Sequence, residues 1–266
     1  MRYWAATLTI AALFLTLPIT VSAQTGDRLT DKEVKALLDS VDKGRDRFED
    51  QLDGKLKDSI LRLPNGEVNV ARFLDDLQEN TGRLKERFTA EYAASAEVAA
   101  VLRQSTAIDA FMKQKPGIKG GSEWDSLAAS LGRLAAVYGT KFPLQGDAAV
   151  RRISDREATK AADAIEEQAD QFKGAVDREQ ALAKPAKDGL KSQADSVKNA
   201  ARALKSRLNG SKPSTSEARQ LFAALDKMRT SAGGLTPASL ALIGQMEAPL
   251  AILHQAFGVT SPPAGS

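Results

Sequence analysis

The chain has 266 residues, 42% hydrophobic and 27% charged, a composition that allows one or two domains with a sizeable core and excludes disorder over the whole length. It carries no cysteine and one histidine, which excludes disulfide frameworks, thiolate metal sites, cysteine nucleophiles and lipidated cysteines. The formal charge of +3 includes Arg2, in a segment expected to be removed, so the mature chain is close to neutral and makes no case for nucleic-acid binding, which needs a basic face.

The first segment reads as an address. Arg2 supplies a positive start, Ala5 to Leu17 an apolar run of 13 residues, and Pro18 breaks it before the small residues of Val21-Ser22-Ala23. This is the pattern of a secretory signal peptide cut after Ala23; the run is shorter than the roughly 20 residues a bilayer span requires. Because Gln24 follows, a lipoprotein anchor on cysteine is excluded. The mature protein is expected to be soluble in the periplasm or outside the cell.

A first helix is expected from Asp31 to about Arg62, opened by a capping box of Thr30 and Glu33, with Val34, Leu37, Leu38, Val41, Phe48, Leu52, Leu56 and Ile60 as its inner stripe. Leu63-Pro64-Asn65-Gly66 ends it in a tight turn, so the next helix runs back antiparallel and meets Phe48 and Leu52. That next helix reads as one rod from Asn69 to Lys113, about 67 Å long, with no proline and helical spacing from Val70 through Leu77, Leu84, Tyr92 and Leu102 to Phe111.

A loop from Gln114 to Gly121 follows, and Ser122-Glu123-Trp124-Asp125 caps a third helix to about Tyr138, with Trp124, Leu127, Leu131, Leu134 and Tyr138 inward. Gly139 to Ile153 reads as a connector that packs Phe142 and Leu144 onto the rod. Ser154 and Glu157 repeat the capping box and open an alanine-rich stretch that lasts to Leu208. From Ser154 to Gln180 eight residues are acidic and four basic, whereas from Lys184 to Asn209 two are acidic and seven basic. Either Pro185 turns the chain so that the two halves pair side by side, or it kinks one continuous helix. The kinked helix is the favoured reading, since Ala183-Lys184-Pro185-Ala186 offers neither an N-cap nor a closing glycine.

Asn209-Gly210 closes that helix. Ser214 to Glu217 opens another to about Ala232, with Leu221, Phe222, Leu225 and Met228 inward. Thr236-Pro237 starts the last helix, which runs to Phe257 with Glu247 as its one charge and so is expected to be the most buried element. Residues 258–266 read as a disordered tail. No strand pattern and no clear repeat is read from the sequence. The fold class expected is all-α: an elongated bundle of long antiparallel helices over residues 24–257, behind the signal peptide of residues 1–23.

Candidate chemistry is sparse. His254, with Met112, Met228 or Met246, could ligate haem, but no Cys-x-x-Cys-His motif exists and Met246 shares the histidine's helix. A di-iron site needs Glu-x-x-His on facing helices, and Ala251 stands where the glutamate belongs. The acidic runs Asp39, Asp42, Asp46, Glu49, Asp50, Asp53 and Asp163, Glu166, Glu167, Asp170 sit on helices among Lys and Arg, unlike a calcium loop, and read as solvated faces. Lys119-Gly120-Gly121-Ser122 resembles an anion-binding helix start but lacks a preceding strand and the full phosphate-loop spacing. The last helix reads as core rather than membrane, given Glu247 and Pro249 in its middle, and Asn209-Gly210-Ser211 reads as a helix end rather than a glycosylation site.

No catalytic, cofactor-binding or metal-ligating residue is therefore assigned, and no cofactor is expected. The main expectation is a soluble, non-enzymatic helical protein of the cell envelope that acts through its surface as a binding, scaffold or chaperone-like protein, its partner another envelope protein or itself, not nucleic acid. The alternative is a membrane-active or lipid-binding protein using the last helix and the basic segment from Lys184 to Arg207. A third is an enzyme with a carboxylate or lysine site.

Overall fold

The computed structural model describes residues 27–63 and 66–258. The expected leader with its cleavage site, Pro64 and Asn65 of the expected turn, and residues 259–266 of the expected tail lie outside the described residues. The all-α class holds, with ten helices and one short hairpin among the described residues.

Helix α1 (Asp31–Gln51) opens on the expected capping box: the Thr30 hydroxyl accepts from the Glu33 amide while the Glu33 carboxylate accepts from the Thr30 amide at 2.8 Å. It ends eleven residues short of the expectation, at Gln51, with Leu52 in extended backbone. A single turn, α2 (Gly54–Lys57), follows, and then strands β1 (Ile60–Leu63) and β2 (Gly66–Asn69) pair antiparallel, Ile60 opposite Asn69 and Leu63 opposite Gly66. The expectation of a strand-free chain fails here. No helix ends at Leu63: Leu63 and Gly66 are paired across the ladder, and Arg62 and Glu67 pair across it at 2.9 Å.

The rod expected from Asn69 to Lys113 is two helices, α3 (Val70–Arg87) and α4 (Ser95–Lys113). Asn69 caps α3 through its side chain, which accepts from the Ala71 and Arg72 amides. At the break Phe88 leaves the helix in extended backbone and is 2% exposed, the Thr89 amide donates to the Tyr92 carbonyl at 3.0 Å, and Ala94 adopts φ +49. The Tyr138 hydroxyl donates to the freed carbonyl of Ala93. Burial and a tertiary hydrogen bond thus override the helical propensity of Ala-Glu-Tyr-Ala-Ala.

Helix α5 (Gly121–Val137) buries Trp124, Leu127, Leu131 and Leu134 as expected, but Gly120, not Ser122, is its N-cap residue. Gly120 has φ +94, and a Cβ there would meet the Leu52 backbone at 3.3 Å, so only glycine lets α5 start against the end of α1. Phe48 of α1 lies against Trp124, ring centroids 5.1 Å apart. The connector seals this side with Leu144 buried and Phe142 packed on the same core, as read.

The favoured reading at Pro185 is overturned. Helix α6 (Asp155–Arg178) stops, residues 179–183 reverse the chain, and α7 (Lys184–Asn209) returns antiparallel with Pro185 in its first turn, where a missing N–H costs nothing. The acidic and basic faces pair in one register: Glu166 with Arg202 at 2.5 Å, Asp170 with Lys198 at 2.6 Å and Asp177 with Lys191 at 2.7 Å. Helix α8 (Thr215–Thr230) buries Leu221, Phe222, Leu225 and Met228. The last helix is broken into α9 (Pro237–Gln245) and α10 (Glu247–Phe257). Pro249 has no N–H to offer the Gln245 carbonyl, which is where α9 ends. Nor is this helix the most buried element: Leu240 is 44% exposed, and α9 buries only Ser239 and Ile243.

Two apolar cores result, one from Val34 to Leu144 and one from Ile153 to Leu253. Unit one sets α1, α3, α4 and α5 in a ring, and unit two sets α6, α7, α8 and the α9–α10 pair in the same cyclic order. Contrary to the sequence reading, the units are related. Residues 28–52 and 152–176 align without a gap with six identities, Arg28/Arg152, Asp31/Asp155, Glu33/Glu157, Asp39/Asp163, Asp46/Asp170 and Phe48/Phe172, and from Val34/Ala158 to Leu52/Val176 the buried positions coincide. Further on, Leu84/Leu204, Val101/Leu221, Leu102/Phe222 and Leu131/Leu250 are buried in both units. Ion pairs repeat as well. Lys85 bridges Asp39 and Asp42 where Lys205 bridges Asp163 and Glu166, and Arg87–Glu97 at 2.9 Å matches Arg207–Glu217 at 2.8 Å. Each unit even closes its last helix on a left-handed glycine, Gly139 at φ +70 and Gly258 at φ +64. The hairpin belongs to unit one alone.

Candidate functional site

Two features stand out above the packed helices: the junction between the units and a groove beside the hairpin. The junction forms where the N-termini of α1 and α6 meet. Arg28-Leu29-Thr30-Asp31-Lys32-Glu33 faces Arg152-Ile153-Ser154-Asp155-Arg156-Glu157, and the contacts are reciprocal. The Asp31 amide donates to Asp155 Oδ2 at 2.8 Å and the Asp155 amide to Asp31 Oδ2 at 2.9 Å. Arg28 pairs with Asp155 and donates to the Ile153 carbonyl at 2.7 Å; Arg152 pairs with Asp31 at 2.6 Å and donates to the Leu29 carbonyl at 2.9 Å. The Arg28 amide donates to the Thr215 hydroxyl at 3.2 Å and the Arg152 amide to the Ser95 hydroxyl at 3.3 Å, and Thr215 and Ser95 are themselves equivalent positions.

The physical logic is that of two helix starts sharing caps. The first amides of a helix have no partner within it, and the positive end of the helix dipole favours a carboxylate. Each aspartate serves the other unit's helix, and each arginine neutralises the carboxylate that does so. All four side chains are shielded, Arg152 3% and Arg28 7% exposed. Burial raises the Asp31 carboxyl above its ordinary value, with the Asp155 charge adding to it against the pull of Arg152; burial lowers Arg152, with Arg28 nearby adding to the effect. Burial likewise holds the Tyr138 phenol well above its usual range. Both carboxylates and both guanidinium groups are engaged across the junction, with Arg28 Nε and Arg152 Nε left buried without a hydrogen-bond partner.

The groove is lined by Leu63, Gly66, Glu67 and Val68 of the hairpin, Phe73 and Asp76 of α3, and Arg103, Gln104 and Ala107 of α4. Ile60 stands 53% exposed on the outer strand. In unit two the matching stretch runs into the first part of α7 and forms no hairpin. A second hollow lies at the start of α9, where Glu179 Oε1 accepts from the Thr236 amide at 3.1 Å and from the Thr236 and Ser239 hydroxyls, capping that helix from another element. Those hydrogen bonds hold the Glu179 carboxyl below its usual range.

The residues weighed from sequence find ordinary places. His254 is buried against Phe222, ring centroids 4.5 Å apart and edge-on, and burial followed by the Arg229 charge keeps its pKa low, so the ring is neutral at pH 7. Met246 is fully buried in the second core. The two acidic runs supply the ladder to α7 and a cluster of Asp42, Asp46 and Glu49 around the buried Arg45. Among the described residues no group of three or more His, Asp or Glu side chains is placed to hold a metal ion, and no helix is long and apolar enough to cross a membrane. The junction went unread in the sequence although its signal was there, in the matched hexapeptides.

Fold and junction together define an all-α protein built from two related four-helix units. Comparison of the chain with family models, with curated proteins and with solved structures finds no match.

Proposed function

We propose that the mature chain is an exported, non-enzymatic helical protein of the cell envelope that works through its surface, as a binding, scaffold or chaperone-like protein, with the leader removed after Ala23. The observation that carries this reading is the groove beside the hairpin. An apolar floor of Val68 and Phe73 lies under a rim of Glu67, Asp76 and Arg103, an arrangement suited to holding a segment of another protein. It is also the main feature by which unit one departs from its own repeat, and a duplicated scaffold with one added element places the distinctive surface there. The extended antiparallel helices then serve as a stiff support.

The lipid-binding alternative draws less support. Of the basic segment it would use, Lys191, Lys198, Arg202 and Lys205 are engaged by carboxylates of α6. The test has two parts. Mass spectrometry of the envelope fraction should find a chain beginning at Gln24. Cross-linking in that fraction should give an adduct that Ile60→Asp with Val68→Asp abolishes while the helical circular dichroism is unchanged; an adduct indifferent to both changes would overturn the groove's role, and co-flotation with anionic liposomes would favour the alternative.

A further inference from the structure

We infer that the junction is a homotypic docking surface, and that the partner it fits is a second copy of the same unit. The argument is one of self-complementarity and is independent of the groove. A two-fold interface uses the same patch on both sides, so that residue i meets j and j meets i. Here Arg28 meets Asp155 and Arg152 meets Asp31, while the equivalent of Asp155 in unit one is Asp31 and the equivalent of Arg152 is Arg28. Each unit therefore carries both the arginine and the aspartate of the pairing, in the same hexapeptide. The supporting contacts obey the same rule: a backbone amide finds a hydroxyl at the start of α8 in one direction and of α4 in the other.

Two copies of unit one, facing each other as units one and two do, would set Arg28 against Asp31 of the other copy in both directions and the Arg28 amide against Ser95. Two copies of unit two would do the same with Arg152, Asp155 and Thr215. The arginine–aspartate pairs, the shared amide caps and the amide-to-hydroxyl bonds are kept in either pairing; the exposed Arg156–Glu91 ion pair at 3.0 Å has no counterpart in unit two, where Ser211 stands in place of Glu91. The chain is thus a covalently joined dimer of one unit with itself, and the tether formed by the connector selects the internal pairing over the external ones.

Breaking one side of the code should redirect the pairing. In Asp155→Arg the unit-two hexapeptide can no longer answer Arg28, but unit one keeps Arg28 and Asp31 and pairs with unit one of another chain. In Asp31→Arg the roles reverse, and in the double variant neither unit retains a complete code. Light scattering on the full mature chain is expected to show the mass doubled relative to wild type for each single variant and not for the double one. Single variants that stay helical at the wild-type mass, or three variants with the same mass, overturn the inference. A second measurement also uses the full chain: two preparations of Asp155→Arg, tagged differently, are mixed. Retrieval of one tag should bring down the other, and a retrieval that never crosses tags contradicts homotypic docking.

Discussion

Unit one and unit two reach the same arrangement of helices by different means. In α1 the inward positions carry Val34, Leu37, Leu38 and Val41; in α6 the equivalents are Ala158, Ala161, Ala162 and Ile165. Large side chains hold the helices of unit one together by burial. Unit two has exchanged much of that volume for small residues and a register of ion pairs between α6 and α7. Exposed pairs contribute little each, about 0–1 kcal/mol, whereas a buried leucine contributes several-fold more. Their value in unit two is alignment: matched charges along both helices penalise any slipped register. Topology is shared, and the interactions that enforce it are not.

The largest effects are expected at the junction, where the units depend on each other. Asp31→Ala and Asp155→Ala each strand a buried arginine and should each cost about 3–5 kcal/mol, with the double change far from additive, as read from denaturant melts. Next comes a reciprocal exchange of volume. Leu38→Ala in unit one should cost about 2–5 kcal/mol by leaving a cavity, and Ala162→Leu in unit two about 1–3 kcal/mol by overfilling a close helix contact. If Ala162→Leu stabilised the protein, the close packing ascribed to α6 and α7 would be wrong.

Acid should separate the units. Burial opposes ionisation of Glu166, but hydrogen bonds from Arg202 and Lys205 prevail and hold its carboxyl below the usual range; hydrogen bonds from Lys191 and from Ser216 do the same for Asp177 and Glu217. A carboxyl whose folded pKa lies below its unfolded one gives stability that is full above the unfolded value near 4 and is lost as pH falls toward the folded value. Asp31, raised by burial, works in the opposite sense and is relieved by protonation. Unit two should therefore fail first. The sequence holds two tryptophans, Trp4 and Trp124, so in a chain that begins at Gln24 Trp124 fluorescence reports unit one alone. Far-ultraviolet circular dichroism should fall at a higher pH than the Trp124 signal moves; coincident curves would mean that acid unfolds the units together. The smallest effect is expected for Lys85→Met, about 1 kcal/mol or less, since Lys85 is 34% exposed beside Asp39 and Asp42.

Much of this fold is legible in the sequence, because capping boxes and apolar periodicity are local. Thr30 and Ser154, the inner stripes of α1, α5 and α8, and the connector's Phe142 and Leu144 all fall where spacing puts them. What is not legible locally is where a tertiary contact ends a helix. The break after Arg87 depends on Tyr138, which bonds to Ala93 45 residues away, and the turn before Pro185 depends on α6 and α7 matching charge for charge. The charge asymmetry was visible in the sequence, but only pairing gives it a meaning. The repeat is legible but faint, since alanine replaces leucine at the inner positions of α6 and leaves the likeness to scattered identities: the hexapeptide, Asp39/Asp163, Asp46/Asp170 and Phe48/Phe172, and further on Leu84/Leu204, Lys85/Lys205, Arg87/Arg207 and Glu97/Glu217. The groove could not be seen at all, because it exists only once Ile60–Leu63 and Gly66–Asn69 are paired as strands.

The central claim, that two copies of one unit cap each other's first helix, is tested most directly by amide hydrogen exchange at Asp31 and Asp155. A helix's first amides have no partner within the helix and ordinarily exchange fast. Here each amide is bonded, at 2.8 Å and 2.9 Å, to the carboxylate of the other unit in a shielded site. Both amides should be strongly protected, to a similar degree, and both should lose protection together in the double variant Asp31→Ala with Asp155→Ala. Fast exchange at either amide in the wild-type chain would contradict the account.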